Sequence, residues 1–583
     1  MAFSNTELIA FFKQRMVELY DRNTLDSYSV RTCNTMSIFC EMREIINGWI
    51  VGNVKRGETV GLCIDECLGL MDNEEWMDFS FYDKVKFKTY LEAYAKSVKQ
   101  VKDTKDKKEK DYNEAQYTLH LVNLCISRND KQYLSTLLAA VRVDLLTPKN
   151  DYNDNEFKTT IARLDNKLTR IGTELLRRGY SKSYLYQYFN AIKKNRGGVG
   201  FNSAYDQLQR KFSVAHQHTD VVIIRLVFTT GNIPSMDNLV AAVPAEYLAV
   251  MDNSMKGYSN GASNKRFYIV NVKAQDTNAA LHKARLDLAQ ALDRNDMGDV
   301  IIEKRGIVAY KENGVWSVHW ELYNQLERKP VRLANVANPL SSMMKRIDAA
   351  SNISQEIKDR LNTALRHLRV GDGQEEMEQR FLNYWIGLEF IFATPRSGDS
   401  TFARLKEKFP RMKTLYYLKR NVGDLDAILR RKRLIGVAES FGNTPEAGMD
   451  RIFNATTDVL LKYRITKMKE HLHDHNKVKD YLQNHLKHLE WHLSRIYHLR
   501  NELVHEAAIR QNMDGVGNNL RSYLVFMLNL LLDYCKQQLV NQQGETVVMD
   551  NFFWNYELLW LKNIPEYEKD GFLALTMPDE LVK

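Results

Sequence analysis

The sequence predicts a mainly α fold with a small α/β insert: a helical N-terminal region, a central α/β unit and a C-terminal helical bundle. Three observations predict it. Apolar residues recur three or four apart through the first 213 residues and again from about Ser341 onward, the spacing of one helix face. β-branched runs and strand-like alternation cluster in the stretch between. Among 10 prolines, only Pro148 precedes Pro234, so long helices are permitted across the first third. With 583 residues the chain exceeds one hydrophobic core. Its 44% hydrophobic content excludes a disordered chain, because burial of that surface repays chain ordering.

In residues 1–213, Glu7 to Tyr20, Met36 to Val51, Tyr90 to Lys99 and Thr159 to Arg178 have helical spacing, and no catalytic motif is present. The run Lys99 to Lys110 is almost purely charged and reads as an exposed helix or a linker. Asn195 to Phe201 (Asn-Arg-Gly-Gly-Val-Gly-Phe) is superficially like a phosphate-binding loop. It lacks the Gly-Lys-Ser/Thr ending and a preceding strand, so a flexible turn is the preferred reading.

Residues 214–335 change pattern. Val221 to Thr229 is a β-branched run closed by Thr230-Gly231-Asn232, and Arg266 to Val272 alternates. Ala279 to Leu292 is helical, followed by strands at Val300 to Ile302, Gly306 to Tyr310 and Val315 to Trp320, with Asn313-Gly314 as a hairpin turn. No nucleophile, base and acid gather here, so packing or recognition is the expected work of this unit.

Residues 341–545 return to helices: Ser354 to Leu368, Glu375 to Ala393, Thr401 to Lys408, Met449 to Glu470, Lys477 to Val504 and Leu520 to Leu539. The last is apolar on most faces, which places it in a core or at a dimer interface. Residues 546–583 read as an aromatic-rich tail.

Met1 to Phe12 carries Glu7 and no basic-then-apolar pattern, so no signal peptide is expected. The most apolar run, Tyr523 to Tyr534, is broken by Asn529 and Asp533 and is too short for a bilayer. Six cysteines in so long a chain do not form a disulfide framework, which fits a reducing cytoplasm. Cys63 and Cys67 are four apart, a core pair in preference to metal ligands.

The net charge is +9, and location matters more than the total. From Thr401 to Arg433, eleven Lys or Arg face three acids, a net of +8, with Tyr416 and Tyr417 interleaved. The functional reading is an RNA-backbone surface including Lys419, Arg420, Arg430, Arg431, Lys432 and Arg433. The alternative is a solvated helical face.

His505 follows Arg500 by five in Tyr497-His498-Leu499-Arg500-Asn501-Glu502-Leu503-Val504-His505. Leu489, Leu493, Ile496 and Leu503 mark an apolar stripe that includes the angle of Arg500. An arginine there needs an acid or an anionic ligand. Upstream, Phe381, Trp385, Leu388 and Phe392 share a face with Glu389 at its rim. Glu389 is therefore expected to orient Arg500, the alternative being a separate ion pair for each. His485, His488 and His492 could share a face for zinc, but surface or RNA-facing histidines are preferred and no metal is expected.

The segments RFLNYWIGLEFIF and, about 110 residues on, IYHLRNELVHEA together resemble the Apea-like branch of the HEPN superfamily, over roughly residues 341–545. The resemblance implies a cofactor-free, metal-independent endoribonuclease of phage defence, abortive infection or toxin systems, whose site is composed from two HEPN domains of a homodimer. His505 would act as general acid or base, Arg500 would stabilise the phosphate, and Asn501 would hold the phosphate or position His505. The N-terminal region would then sense a protein or phage-derived trigger. The alternative is a non-catalytic RNA-binding or scaffold protein that keeps the bundle; a third reading is a metal-dependent hydrolase. Five residues along a straight helix place Arg500 and His505 about 140° apart. Either the helix ends near His505 or the pair meets its counterparts across a two-fold axis.

Overall fold

The computed structural model describes residues 5–576 apart from 22–32, 103–105, 148–153, 197, 214–217, 230–235, 295–299, 313, 324–339, 375, 394–400, 422–444, 507–512 and 541–545. Helices dominate, and five strands form one antiparallel sheet. The chain divides into two compact units. One comprises residues 1–21, 75–78 and 126–327; the other comprises 22–74, 79–125 and 328–583.

The first unit contains α1 (Asn5–Tyr20), the last residues of α5 (Glu109–Asn129), α6 (Tyr133–Leu146), α7 (Asp154–Arg177), α8 (Lys182–Lys193) and α9 (Phe201–Ser213). The expected helix periodicity is met because each helix turns one apolar stripe inward, as Leu8, Phe11 and Phe12 do on α1 and Leu164, Leu168 and Ile171 on α7. The sheet has strand order β2 (Leu239–Val240), β3 (Lys265–Ala274), β1 (His218–Phe228), β4 (Val300–Glu312), β5 (Val315–Leu322). The two short strands expected at 300–302 and 306–310 are one strand interrupted by a register shift opposite Ile224 to Leu226. Arg225 holds that irregularity: its guanidinium binds Glu303 and the carbonyl of Tyr258, whose hydroxyl donates to the carbonyl of Arg305. Helix α12 (Thr277–Arg294) covers one face, and α10 (Ala245–Leu248) with α11 (Asn253–Tyr258) covers the other. A Cβ at Gly306 would stand 2.6 Å from Leu281, so glycine lets α12 lie close on β4.

The second unit joins α2 (Thr35–Val51), α3 (Gly57–Met71) and α4 (Lys84–Val98) to a large bundle. The bundle is built from α13 (Leu340–Ala349), α14 (Gln355–Gly373), α15 (Met377–Phe392), α16 (Thr401–Leu415), α17 (Pro445–Ala455), α18 (Val459–His473), α19 (His475–Glu506), α20 (Met513–Val540) and α21 (Met549–Lys569). Helix α20 lies in its core with Leu520, Leu524, Leu528 and Leu531 all inaccessible to water, as its all-round apolarity predicts. Its neighbours α14 and α15 approach closely where a Cβ on Gly371 would strike the Tyr384 ring. The presumed tail is part of this core: Phe552, Phe553, Tyr556 and Tyr567 are buried in it. No helix of the described residues is long and apolar enough to cross a membrane.

Candidate functional site

The segment with the Arg-Asn motif is the last part of α19, a 32-residue helix. Val478, Leu482, Leu489, Leu493 and Ile496 seat it in the bundle. Near its end the burial relaxes: Leu499 and Leu503 are partly buried and Val504 is 49% exposed. Tyr497 stacks on Phe402 of α16 at 3.9 Å and meets Trp385 of α15 at 5.9 Å. Arg500 lies one turn beyond this aromatic seam.

Arg500 is half-buried, and its Nη1 donates to Oδ1 of Asn501 at 3.1 Å. No carboxylate among the described residues pairs with it. The expected Glu389 bond is not formed: Glu389 accepts from the indole of Trp385, Nε1 to Oε2 at 2.9 Å, one turn away on its own helix. The reason is exposure. At the bundle's end a guanidinium keeps its water, so the need for a buried acid lapses. The backbone of His505 is in the final turn of α19, and its side chain lies outside the described residues. Because the helix continues to Glu506, Arg500 and His505 stand about 140° apart around its axis and about 7.5 Å apart along it.

The arginine of this helix that carboxylates hold is Arg495, whose side chain is 16% exposed. Its Nε meets Oε1 of Glu41 at 2.7 Å and its Nη2 meets Oε2 of Glu66 at 2.8 Å, with Sγ of Cys33 at 3.7 Å. Burial pushes Glu66 up, opposed by the attraction of Arg495, and pushes the Cys33 thiol up to about 12. This cluster fastens α19 to α2 and α3 and supplies no nucleophile. Burial likewise holds Cys63 and Cys67 as thiols, in line with a core role. The sequence carried one sign of the cluster: Glu66 sits between Ile64 and Cys67 on an apolar helix, where a carboxylate needs a cation.

No protein-family model, curated protein or solved structure matches the chain.

Within the described part of the basic segment, most cations of α16 have partners in the protein. Arg404 pairs with Asp550 at 2.7 Å, Lys406 with Glu58 at 2.5 Å and Arg411 with Glu557 at 2.6 Å. Lys413 is buried with its ammonium 4.3 Å from the Phe526 ring centroid. Tyr416 is buried, and Tyr417 stacks on His485 at 3.5 Å, so neither ring stands free for a base. Lys419 and Arg420 are half-buried and engaged in contacts of their own. Arg430, Arg431, Lys432 and Arg433 lie outside the described residues. The charges of α16 match acids on neighbouring helices, a pairing that a count along one segment cannot see.

The histidines also differ from expectation. His485 and His492 are core residues, the latter with Nδ1 2.8 Å from the Tyr523 hydroxyl, while His488 packs on Trp491. Among the described residues no group of three or more His, Cys, Asp or Glu is placed to hold a metal ion. A further polar cluster escaped the sequence reading: Arg521 binds both oxygens of Asp372 at 2.7 Å, and Tyr384 donates to the same carboxylate at 2.7 Å. Partial desolvation opposes the Asp372 charge, yet these bonds hold its carboxyl below the usual range, which marks it as a brace for α14, α15 and α20 at the bundle surface.

Proposed function

We propose that the chain is a metal-independent endoribonuclease of HEPN type, serving in defence as an abortive-infection or toxin-like effector. The observation that carries the reading is Arg500: a half-exposed guanidinium at the end of α19, sharing a bond with Asn501 and meeting no carboxylate among the described residues, one and a half turns before His505. A cation left unneutralised by the protein is available to an anion, and its planar fork fits two phosphate oxygens. RNA supplies the nucleophile. The imidazole of His505 takes the 2′-hydroxyl proton as that oxygen bonds to phosphorus, the bond to the 5′ oxygen breaks, and a protonated imidazole supplies the proton to that leaving group. The charge accumulating on phosphorus faces Arg500. The products are a 2′,3′-cyclic phosphate and a 5′-hydroxyl end. The 140° divergence favours a site composed from two copies over one within a single helix. Sensing by the N-terminal region belongs to this reading and rests on architecture.

The same divergence also favours a second reading, a non-catalytic RNA-binding or scaffold protein. Labelled RNA incubated with the protein and with His505→Ala in chelator separates the two. The nuclease reading expects cyclic-phosphate ends from the parent protein alone. Equal silence, or cleavage that stops with chelator, contradicts it.

A further inference from the structure

With the cations of α16 largely matched by carboxylates, a second basic stretch stands in the other unit. Residues 181–213 hold six Lys or Arg against one acid, Asp206, and Arg142 already occupies that acid at 2.9 Å. The described residues of this stretch, all but Gly197, form α8, a turn and α9, with the chain reversing so that Phe212 packs on Tyr188 at 5.2 Å. Lys193, Lys194 and Arg196 are exposed at the turn, and Arg210 is exposed near the far end of α9. Among the described residues no carboxylate pairs with any of these four. The turn is the Gly-rich segment set aside in the sequence as a flexible turn. Gly198 takes φ +65°, and neither it nor Gly200 has an atom within 4 Å of where a Cβ would be, so an approaching chain meets open backbone.

The same hairpin carries aromatic rings. Tyr184 and Tyr188 are half-buried and nearly parallel at 6.2 Å, with the Lys211 ammonium 5.2 Å from both ring centroids. Lys13 of α1 reaches the Phe201 ring beside the turn, adding a further cation. Unneutralised cations alone would suit any polyanion. Cations interleaved with partly open tyrosine rings suit a single strand, whose bases and phosphates both need a partner.

We propose that the α8–α9 hairpin is a single-stranded RNA-binding surface. It stands apart from the cleavage reading and does not depend on it. The test uses the full chain carrying His505→Ala, so that binding is read without cleavage. The probe is a labelled oligouridylate of about 20 nucleotides, followed by anisotropy between about 50 and 200 mM salt. The triple variant Lys193→Gln, Lys194→Gln, Arg196→Gln should bind about 10-fold or more weakly, with a salt slope shallower by about 2, since each single-strand phosphate contact contributes ~0.7. Arg210→Gln should weaken binding independently, and melting temperatures should be unchanged because all four side chains are exposed. Three outcomes overturn the proposal: no binding by the parent at low salt, undiminished binding by the triple variant, or displacement of the probe by polyglutamate as readily as by unlabelled RNA. The last would identify the hairpin as a surface for an acidic protein.

Discussion

Removing the guanidinium of Arg495 would leave Glu41 and Glu66 facing each other within the second unit, without the cation that offsets their repulsion. Breaking a fully buried pair from one side costs about 3–5 kcal/mol, and this one is partly exposed, so Arg495→Met is expected to lower stability by up to that order in urea unfolding. Charge matters differently at Asp220, which burial and the nearby Asp276 push up to about 6, and at His282, which burial and Arg285 lower to about 4. The raised carboxyl contributes stability that is complete below its unfolded value of about 3.9 and is lost as pH rises through about 6. The depressed imidazole contributes stability present above about 6.5 and lost as pH falls through about 4. These slopes oppose each other in the first unit. Asp220→Asn should unmask a melting temperature that climbs from pH 4 to 6.5; an unaltered profile would contradict this. For Arg500, the helical period gave the face correctly but not how far the bundle extends along α19, so a half-exposed residue read as one needing a buried acid. Glu389 was recognisable as a rim carboxylate, while the indole that satisfies it, Trp385, was counted only as apolar surface.

At the scale of the element, apolar spacing recovered most helices and strands, and the errors have local causes. The stretch Met449 to Glu470 was expected as one helix and is two, because Asp458 caps α18 by accepting from the amide of Leu461 at 2.9 Å. The Thr-Thr-Asp sequence before Val459 was the legible signal of that start. Asp458→Ala is expected to cost about 1 kcal/mol, measured by chemical denaturation, and no loss would mean the cap is idle. The opposite error occurred at α16, expected to end at Lys408 and in fact continuing through Pro410 to Leu415. Buried Phe409, Met412 and Leu415 hold that turn in helical form despite the missing proline amide. The α8–α9 turn shows the converse strength of sequence: its glycines and lack of a Walker ending identified a turn, and only the lack of a paired carboxylate among the described residues gave its lysines a separate meaning.

For the whole molecule, the mainly α class with one small sheet was legible because burial periodicity is local, whereas the pairing between distant helices was not. Nothing in α2 to α4 as isolated segments says that they join the helix carrying Arg500; that follows from Glu41 and Glu66 meeting Arg495 some 430 residues or more away in the chain. Residues 546–583 were read as a tail, yet Val547 bridges Ile353 and the following helix fills the core. The proposed nuclease site has Arg500 and His505 at positions about 140° apart on one helix, and the proposal composes it from two copies. The most direct measurement is cleavage of labelled RNA in chelator by Arg500→Ala, by His505→Ala and by their equimolar mixture. The proposed site requires each variant alone to lose about 100-fold or more in rate and the mixture to regain a substantial fraction, since a mixed pair can assemble one intact constellation. Full activity in either single variant, or a mixture as inactive as its parts, would contradict it.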